Sequence, residues 1–340
     1  MSPSADPVPT LADLGEDGVL ARLLARLPAP DAQPAGVEVL VGPGDDAAVS
    51  QPDGRLVTTT DMLVEGEDFL ADWSDPVSLG IKAAAQNLAD VHAMGAAPHG
   101  LVIALAAPGT TAVDVLEGIM EGFAAEAARA GAAVLGGDLS GGPCLVVSVT
   151  ALGALTGAPV LRSGARPGDA IVLGGTMGRA AAGLDLLLAG FRPGAPGPEA
   201  TVLDALIAAQ RAPRPDYAAA RALAPVAHAL IDASDGPAGD LGRISRASGT
   251  AIALDGAALN ALARPLEPAA AALGDPDPAA RALHWVLTGG EDHGFLAAVP
   301  PESAPVGLTR IGTCRSGDSG LTLDGGPVTD PAFTHFTGDR

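Results

Sequence analysis

The chain has 340 residues, 48% of them hydrophobic, enough for two compact cores at a prior of about 150 residues per domain. Its 40 acidic side chains against 19 basic ones give a formal net charge of −21, which repels phosphodiester backbones and anionic lipid surfaces, so nucleic acid and membrane are poor partners. Two cysteines, Cys144 and Cys314, can build neither a disulfide framework nor a zinc cluster.

The amino terminus, Met1-Ser2-Pro3-Ser4-Ala5-Asp6, lacks the basic start and apolar core of a secretory signal. No apolar run approaches the ~20 residues that span a bilayer, and a soluble, cytoplasmic protein is expected. Val19, Leu20, Leu23, Leu24 and Leu27 recur at helical spacing and predict a lead-in helix over residues 16–27, ended by the proline-bearing stretch 28–34. Residues 37–41 and 55–60 read as strands, with Gln51-Pro52-Asp53-Gly54 as a turn. Asp75-Pro76 starts a helix predicted to run to about Met94: aspartate accepts the free amides, and proline at the first helical position loses nothing. This helix carries the only lysine of the chain, in Gly80-Ile81-Lys82-Ala83, which fits neither a P-loop nor a protein-kinase lysine. Any phosphate chemistry therefore falls to metal ions, backbone amides and arginines. Asn87 and Asp90 share a helix face, and Asp90 lies among Leu88, Val91 and Met94, where a carboxylate needs a partner.

Residues 99–106 read as a strand, 113–130 as a helix, 132–135 as a strand running into Gly136-Gly137-Asp138, and 144–152 as a long strand. Around residues 153–168 the pattern dissolves into Gly, Pro and Ala, which places a domain boundary there. A strand at 170–173 then leads into Gly174-Gly175-Thr176-Met177-Gly178, open to two readings, a phosphate cradle or packing punctuation before a helix ending near residue 190. A Pro/Gly loop at 191–198, helices near 201–210 and 216–223, a strand at 229–231 ending in Asp232, and a helix over 237–248 with Gly249 as its carboxyl cap follow. The Ala/Pro/Asp-rich stretch 268–281 is expected to be irregular. Thr288-Gly289-Gly290-Glu291-Asp292 precedes a strand at 295–299, and weaker strands follow before Phe333. Strands alternating with crossover helices predict the α/β (α+β) class.

One grammar recurs along the chain. Gly42-Pro43-Gly44-Asp45-Asp46, Thr58-Thr59-Thr60-Asp61, Gly136-Gly137-Asp138 and Asp232-Ala233-Ser234-Asp235-Gly236 read as acidic turns at strand ends. Crowded carboxylates are costly unless hard cations neutralise them. Asp46, Asp61, Asp90, Asp138, Asp232 and Asp235 are therefore candidate magnesium ligands meeting at one cleft. Singly, each motif is an ordinary turn; their recurrence carries the reading.

These stretches, with Met62-Leu63-Val64-Glu65-Gly66, Asn87-Leu88-Ala89-Asp90, Met94-Gly95-Ala96-Ala97-Pro98, Arg162-Ser163-Gly164-Ala165 and Gly289-Gly290-Glu291-Asp292, stand in the order found in a known family. From about Leu14 to its last few residues the chain resembles the thiamine-monophosphate kinases, of the superfamily that includes aminoimidazole ribonucleotide synthetase and selenophosphate synthetase. The resemblance implies a two-domain architecture: a strand-rich, dimerising N-terminal domain over 14–153 with the ATP and metal site, and an α/β C-terminal domain over 154–336. It implies a homodimer that phosphorylates thiamine monophosphate to thiamine diphosphate, the last step of that biosynthesis, with several Mg2+ ions, ATP as co-substrate and K+ as an open addition. It assigns magnesium to the six aspartates together with Thr60, nucleotide to Thr59, Gly137, Arg162 and Ser234, and the thiamine side to Glu291. Phe333 is placed to stack on a substrate ring or simply to pack.

Two departures stand out. Asp68 precedes Phe69 where the family usually has a substrate-linked histidine; an ionised aspartate repels a phosphate but attracts the cationic thiazolium or the aminopyrimidine. His293 stands where tyrosine is common and reads as a structural or rim residue. The chemistry is coherent with this composition, because a phosphate acceptor is already ionised and needs no general base. Two rivals remain, another ATP-dependent enzyme of the superfamily and a non-catalytic acidic metal-binding protein. Selenophosphate synthesis calls for Cys and Lys near the amino terminus, and neither occurs before Lys82; no EF-hand spacing is present.

Overall fold

The computed structural model describes residues 8–28, 38–194, 197 and 199–328. Phe333 and the first residue of the strand expected at 37–41 lie outside them. The chain forms two compact units, one of Met1–Val91 with Ala97–Gly157, the other of His92–Ala96 with Ala158–Arg340.

In the first unit, α1 (Leu11–Leu24) opens on a capping box: the Thr10 hydroxyl accepts from the Asp13 amide while the Thr10 amide donates to the Asp13 carboxylate. Gly15, at φ 66°, kinks the helix, so the regular part begins at residue 16, where the leucine spacing starts. A two-stranded ribbon of β1 (Val39–Val41) and β2 (Val49–Ser50) follows. Then come β3 (Arg55–Val64), α2 (Pro76–Ala93), β4 (Ala97–Ala107), α3 (Val113–Ala130), β5 (Ala133–Gly141) and β6 (Val146–Leu155). The sheet runs β3-β6-β4-β5, antiparallel except for the parallel β4/β5 pair.

Alternation gives this sheet two unlike faces. Leu63, Val147, Val149, Leu101 and Ile103 are buried on one. On the other, Leu56 and Met62 are 57% and 59% exposed, with Val102 also open to solvent. α3 packs on β4 and β5. α2 and α3 meet backbone to backbone: a Cβ on Gly80 would stand 2.0 Å from the Ile119 carbonyl oxygen, and one on Gly122 2.2 Å from that of Val77. Arg22 of α1 and Arg26 in the turn that follows it pair with Glu117 of α3, and Arg26 also with Glu121. Lys82 of α2 is 3% exposed, among Ala83, Ala84 and Ala85 on a wholly buried stretch of helix.

The second unit contains β7 (Ala170–Gly174), α4 (Arg179–Leu188), α5 (Ala200–Arg211), α6 (Tyr217–Leu223), β8 (Ala229–Ala233), α7 (Pro237–Ser248) and β9 (Ala251–Leu254). It continues with α8 (Gly256–Ala263), α9 (Glu267–Ala272), α10 (Pro278–Thr288), β10 (Gly294–Val299), β11 (Thr309–Arg315), β12 (Gly320–Leu323) and β13 (Gly326–Pro327). Its seven-stranded sheet has the order β13-β12-β9-β11-β7-β10-β8. Every residue of β7, β8 and β10 is buried, so this part of the sheet is covered on both faces, which explains its unbroken apolar runs.

Three sequence expectations need correction. Of the stretch 268–281, residues 268–272 and 278–281 are helical, and only 273–277 is irregular as expected. Pro268 and Pro278 occupy first-turn positions of α9 and α10, where proline starts a helix, and the Asp277 carboxylate accepts the Ala280 amide at 3.1 Å. β9 and α8 were not anticipated, because Ala251-Ile252-Ala253-Leu254 lacks the β-branched alternation that marks a strand. Asp61 and Asp138 do not sit in turns: β3 continues to Val64 with Asp61 opposite Val149, and β5 continues to Gly141 with Asp138 opposite Ala104.

Candidate active site

In the first unit Asp61 and Asp138 are presented by strands β3 and β5, Asp90 by helix α2, and Asp46 and Asp68 by connecting segments. The Thr59 hydroxyl donates to Asp90 Oδ2 at 2.7 Å, tying β3 to α2 and giving Asp90 the partner its apolar surroundings demand. Thr60 turns to the opposite face, where its hydroxyl donates to the Val149 carbonyl at 2.9 Å and accepts from Thr150 at 3.2 Å. Asp61 and Asp138 are exposed. Gly137 is a glycine for a packing reason, since a Cβ there would stand 1.9 Å from the Ile103 carbonyl oxygen of the neighbouring strand. Asp46 is exposed between β1 and β2, its amide donating to Asp45 Oδ1 at 2.8 Å. Asp68 closes the turn after β3: its Oδ2 accepts the Val64 amide at 2.8 Å. Beside it the Glu65 carboxylate accepts the Leu145 amide at 2.9 Å.

In the second unit two loops are built against each other. β8 ends in Asp232, which is 4% exposed, and His293 Nδ1 lies 3.3 Å from its Oδ2. His293 is thus a buried structural residue, not a rim one. Ser234 is exposed, and its carbonyl accepts the Glu291 amide at 3.2 Å. A Cβ on Gly290 would stand 1.7 Å from that same carbonyl oxygen. Glu291 and His293 hold left-handed backbone, at φ 67° and 51°, a strain that persists only where surroundings enforce it. Arg243 forks between Asp235 and Asp240, and Asp240 Oδ2 accepts the Asp235 amide at 3.0 Å. Burial pushes the Asp240 carboxyl up to about 7, with Arg243 pulling the other way. Arg162 is exposed, and its carbonyl accepts the Ser248 hydroxyl at 3.2 Å.

The glycine-rich turn before α4 is settled by Asp292. Its carboxylate accepts the Ala180 amide at 3.0 Å and the Thr176 hydroxyl at 2.9 Å. The amino terminus of α4, which has no side-chain cap of its own, is therefore filled by the chain's own anion and is packing punctuation, not a phosphate cradle. Burial pushes the Asp292 carboxyl up to about 6, against the Ala180 amide, Thr176 and Arg179, which favour its charged form.

A folded-state value above the ordinary 3.8 means that the folded state holds this proton more tightly than the unfolded chain. The resulting stabilisation is complete below the ordinary value and is lost as pH rises through about 6. Compared with Asp292→Asn, the wild type should lose on the order of 3 kcal/mol of stability across that window. Urea midpoints of both proteins measured against pH check this; parallel curves would refute it.

The donors offered by the six aspartates and Thr60 are all hard oxygens, which suits magnesium. Among the described residues no three His, Cys, Asp or Glu side chains are grouped as a metal cage, so an ion held here would complete its shell with water and substrate oxygens, as magnesium commonly does. Asp46, Asp61, Asp90 and Asp138 belong to the first unit and Asp232 and Asp235 to the second. Sequence reasoning passed over Asp240, Arg243 and Gln210. The three-residue spacing of Asp240 and Arg243 on α7 was a usable signal; Gln210 offered none.

The family model for AIR synthase related protein, N-terminal domain, matches residues 44–155. Thiamine-monophosphate kinase of Mycobacterium tuberculosis is 44% identical over 321 residues, covering 93% of this chain and 90% of the relative. Among solved structures, thiamine-monophosphate kinase from Stenotrophomonas maltophilia K279a superposes with a TM-score of 0.75 at 31% identity, covering 92% of this chain and 96% of that one. AaThiL complexed with AMPPCP and TMP does so with a TM-score of 0.73 at 26% identity, covering 98% and 100%. With that likeness running through both units, the chain belongs to the thiamine-monophosphate kinase family.

Proposed function

We propose that this protein transfers the terminal phosphoryl group of ATP directly to thiamine monophosphate, giving thiamine diphosphate, with magnesium assistance and as a homodimer in the cytoplasm. The observation that carries the reading is the 44% identity to a thiamine-monophosphate kinase across 93% of the chain. It is supported by the solved AaThiL complex with AMPPCP and TMP, which this chain matches over 98% of its length.

In this reading Asp46, Thr60, Asp61, Asp90 and Asp138 of the first unit and Asp232 and Asp235 of the second hold magnesium. Bound there, the metal supplies neutralisation of the phosphate oxygens. Thr59, Gly137, Arg162 and Ser234 serve the nucleotide, Arg162 as an exposed guanidinium able to meet a phosphate. Asp68 and Glu291 face the thiamine side, with Phe333 as a stacking partner for a substrate ring. No side chain need move a proton, since the acceptor phosphate is ionised at neutral pH. Accordingly Lys82, His92, His99 and His293 are all buried, and none is offered as a base.

The dimer reading is supported by the open face of the first unit's sheet, where Leu56, Met62 and Val102 would be covered by a second copy. The cytoplasmic reading is supported by two unpaired cysteines and by the described residues containing no helix long and apolar enough to cross a membrane. Mass-spectrometric identification of the product from ATP, magnesium and thiamine monophosphate tests the activity. Thiamine diphosphate is expected in step with ADP, and exchanging K+ for Na+ in the same assay reads the monovalent-cation dependence. ATP consumption without thiamine diphosphate would overturn the proposal.

A further inference from the structure

Gln210 lies at the end of α5 and is 6% exposed. Its amide nitrogen donates to Glu291 Oε2 at 2.7 Å, across 81 residues of sequence. Its other end, Oε1, is buried and has no hydrogen-bond partner among the described residues. Burying half an amide unsatisfied is unfavourable, so the one bond that the side chain makes must explain the residue. The approach that permits it is tight: Gly183 of α4 lets α5 come so close that a Cβ there would stand 2.1 Å from the Leu206 carbonyl oxygen and 3.0 Å from Gln210 Cβ. The same helix pair holds the next residue too, because the Asp292 carboxylate accepts the Ala180 amide of α4.

We infer that Gln210 is a positioning residue that fixes the carboxylate of Glu291 for binding thiamine monophosphate. This rests on the reading of Glu291 as a residue of the substrate side. Glu291 is held by its amide on the Ser234 carbonyl, by its side chain on Gln210, and by a left-handed backbone that the flanking Gly290 and Asp292 contacts enforce. A carboxylate fixed in this way meets a donor-bearing ring without first losing rotamer freedom, and losing the Gln210 contact would give part of that freedom back.

The test is steady-state kinetics of Gln210→Ala and the shape-conserving Gln210→Met, with Glu291→Ala and the double variant Gln210→Ala/Glu291→Ala alongside, each checked by thermal melting. Both Gln210 variants should raise KM for thiamine monophosphate by about tenfold, leave KM for ATP unchanged, and add nothing in the Glu291→Ala background. If Glu291→Ala raises that KM and neither Gln210 variant does, the positioning role is wrong. A rise in both KM values in step with a lowered melting temperature in Gln210→Met also overturns it, since that is how a purely structural residue behaves. Should Glu291→Ala itself leave KM for thiamine monophosphate unchanged, the substrate-side reading of Glu291 falls and takes the inference with it.

Discussion

Asp61→Asn and Asp138→Asn should each lower kcat, at saturating ATP, thiamine monophosphate and magnesium, by about a thousandfold or more, an effect of roughly 4 kcal/mol on the barrier. Both side chains are exposed and project from regular strands. The substitutions keep shape, remove one formal charge, and leave the ladder pairs of Asp61 with Val149 and Asp138 with Ala104 intact. Stability should therefore be close to that of wild type, and melting curves beside the kinetics separate loss of chemistry from loss of fold. The large effect is expected because a neutral amide cannot offset the charge of a cation held between anionic reactants. Rates within about tenfold of wild type in either variant would remove that residue from the metal-binding set.

Gly290→Ala should be the most damaging single methyl group in the second unit. The added Cβ would meet the Ser234 carbonyl oxygen at 1.7 Å, the Ser234 carbonyl carbon at 2.5 Å and the Asp235 amide nitrogen at 3.0 Å. All three are backbone atoms, so no rotamer change relieves the clash and the two loops must part. A loss of about 3 kcal/mol or more in stability is expected, together with loss of activity, because Ser234, Asp235 and Glu291 shift as one. Gly157→Ala is the control: nothing lies within 4 Å of the added Cβ, and it should be close to neutral. Urea midpoints of the two variants decide the matter; a Gly290→Ala protein as stable as the control would mean that the loops are not packed as described.

Much of the fold was legible where local chemistry and tertiary structure agree. The helices at Val113–Ala130 and Pro237–Ser248 were readable to their ends because each is stopped by a glycine in left-handed backbone, Gly131 and Gly249. The helix at Pro76–Ala93 was readable from Asp75, whose carboxylate accepts the Ser78 amide at 2.9 Å. Reading failed where a residue type serves two purposes. Aspartate suggested a turn at 61 and at 138, but a strand accepts it wherever the side chain still reaches solvent, as both do: Asp138 on the open face of the sheet and Asp61 on the covered face beside Val149. Proline suggested an irregular stretch at 268–281, although at the first-turn positions held by Pro268 and Pro278 it starts helices. The candidate site was legible as motifs, since carboxylates beside glycine carry their chemistry on the chain. Its supporting contacts were not, because the bond between Gln210 and Glu291 depends on two helices meeting at Gly183.

The concealment of Lys82 within α2 leaves the folded protein without an accessible ε-amine. Amine-directed reagents, whether acyl esters, aldehydes or enzymatic acetyl donors, would find this side chain shielded until the first unit opens. Acylation of Lys82 would thus report unfolding around that helix, and a native preparation should leave this lysine unmodified.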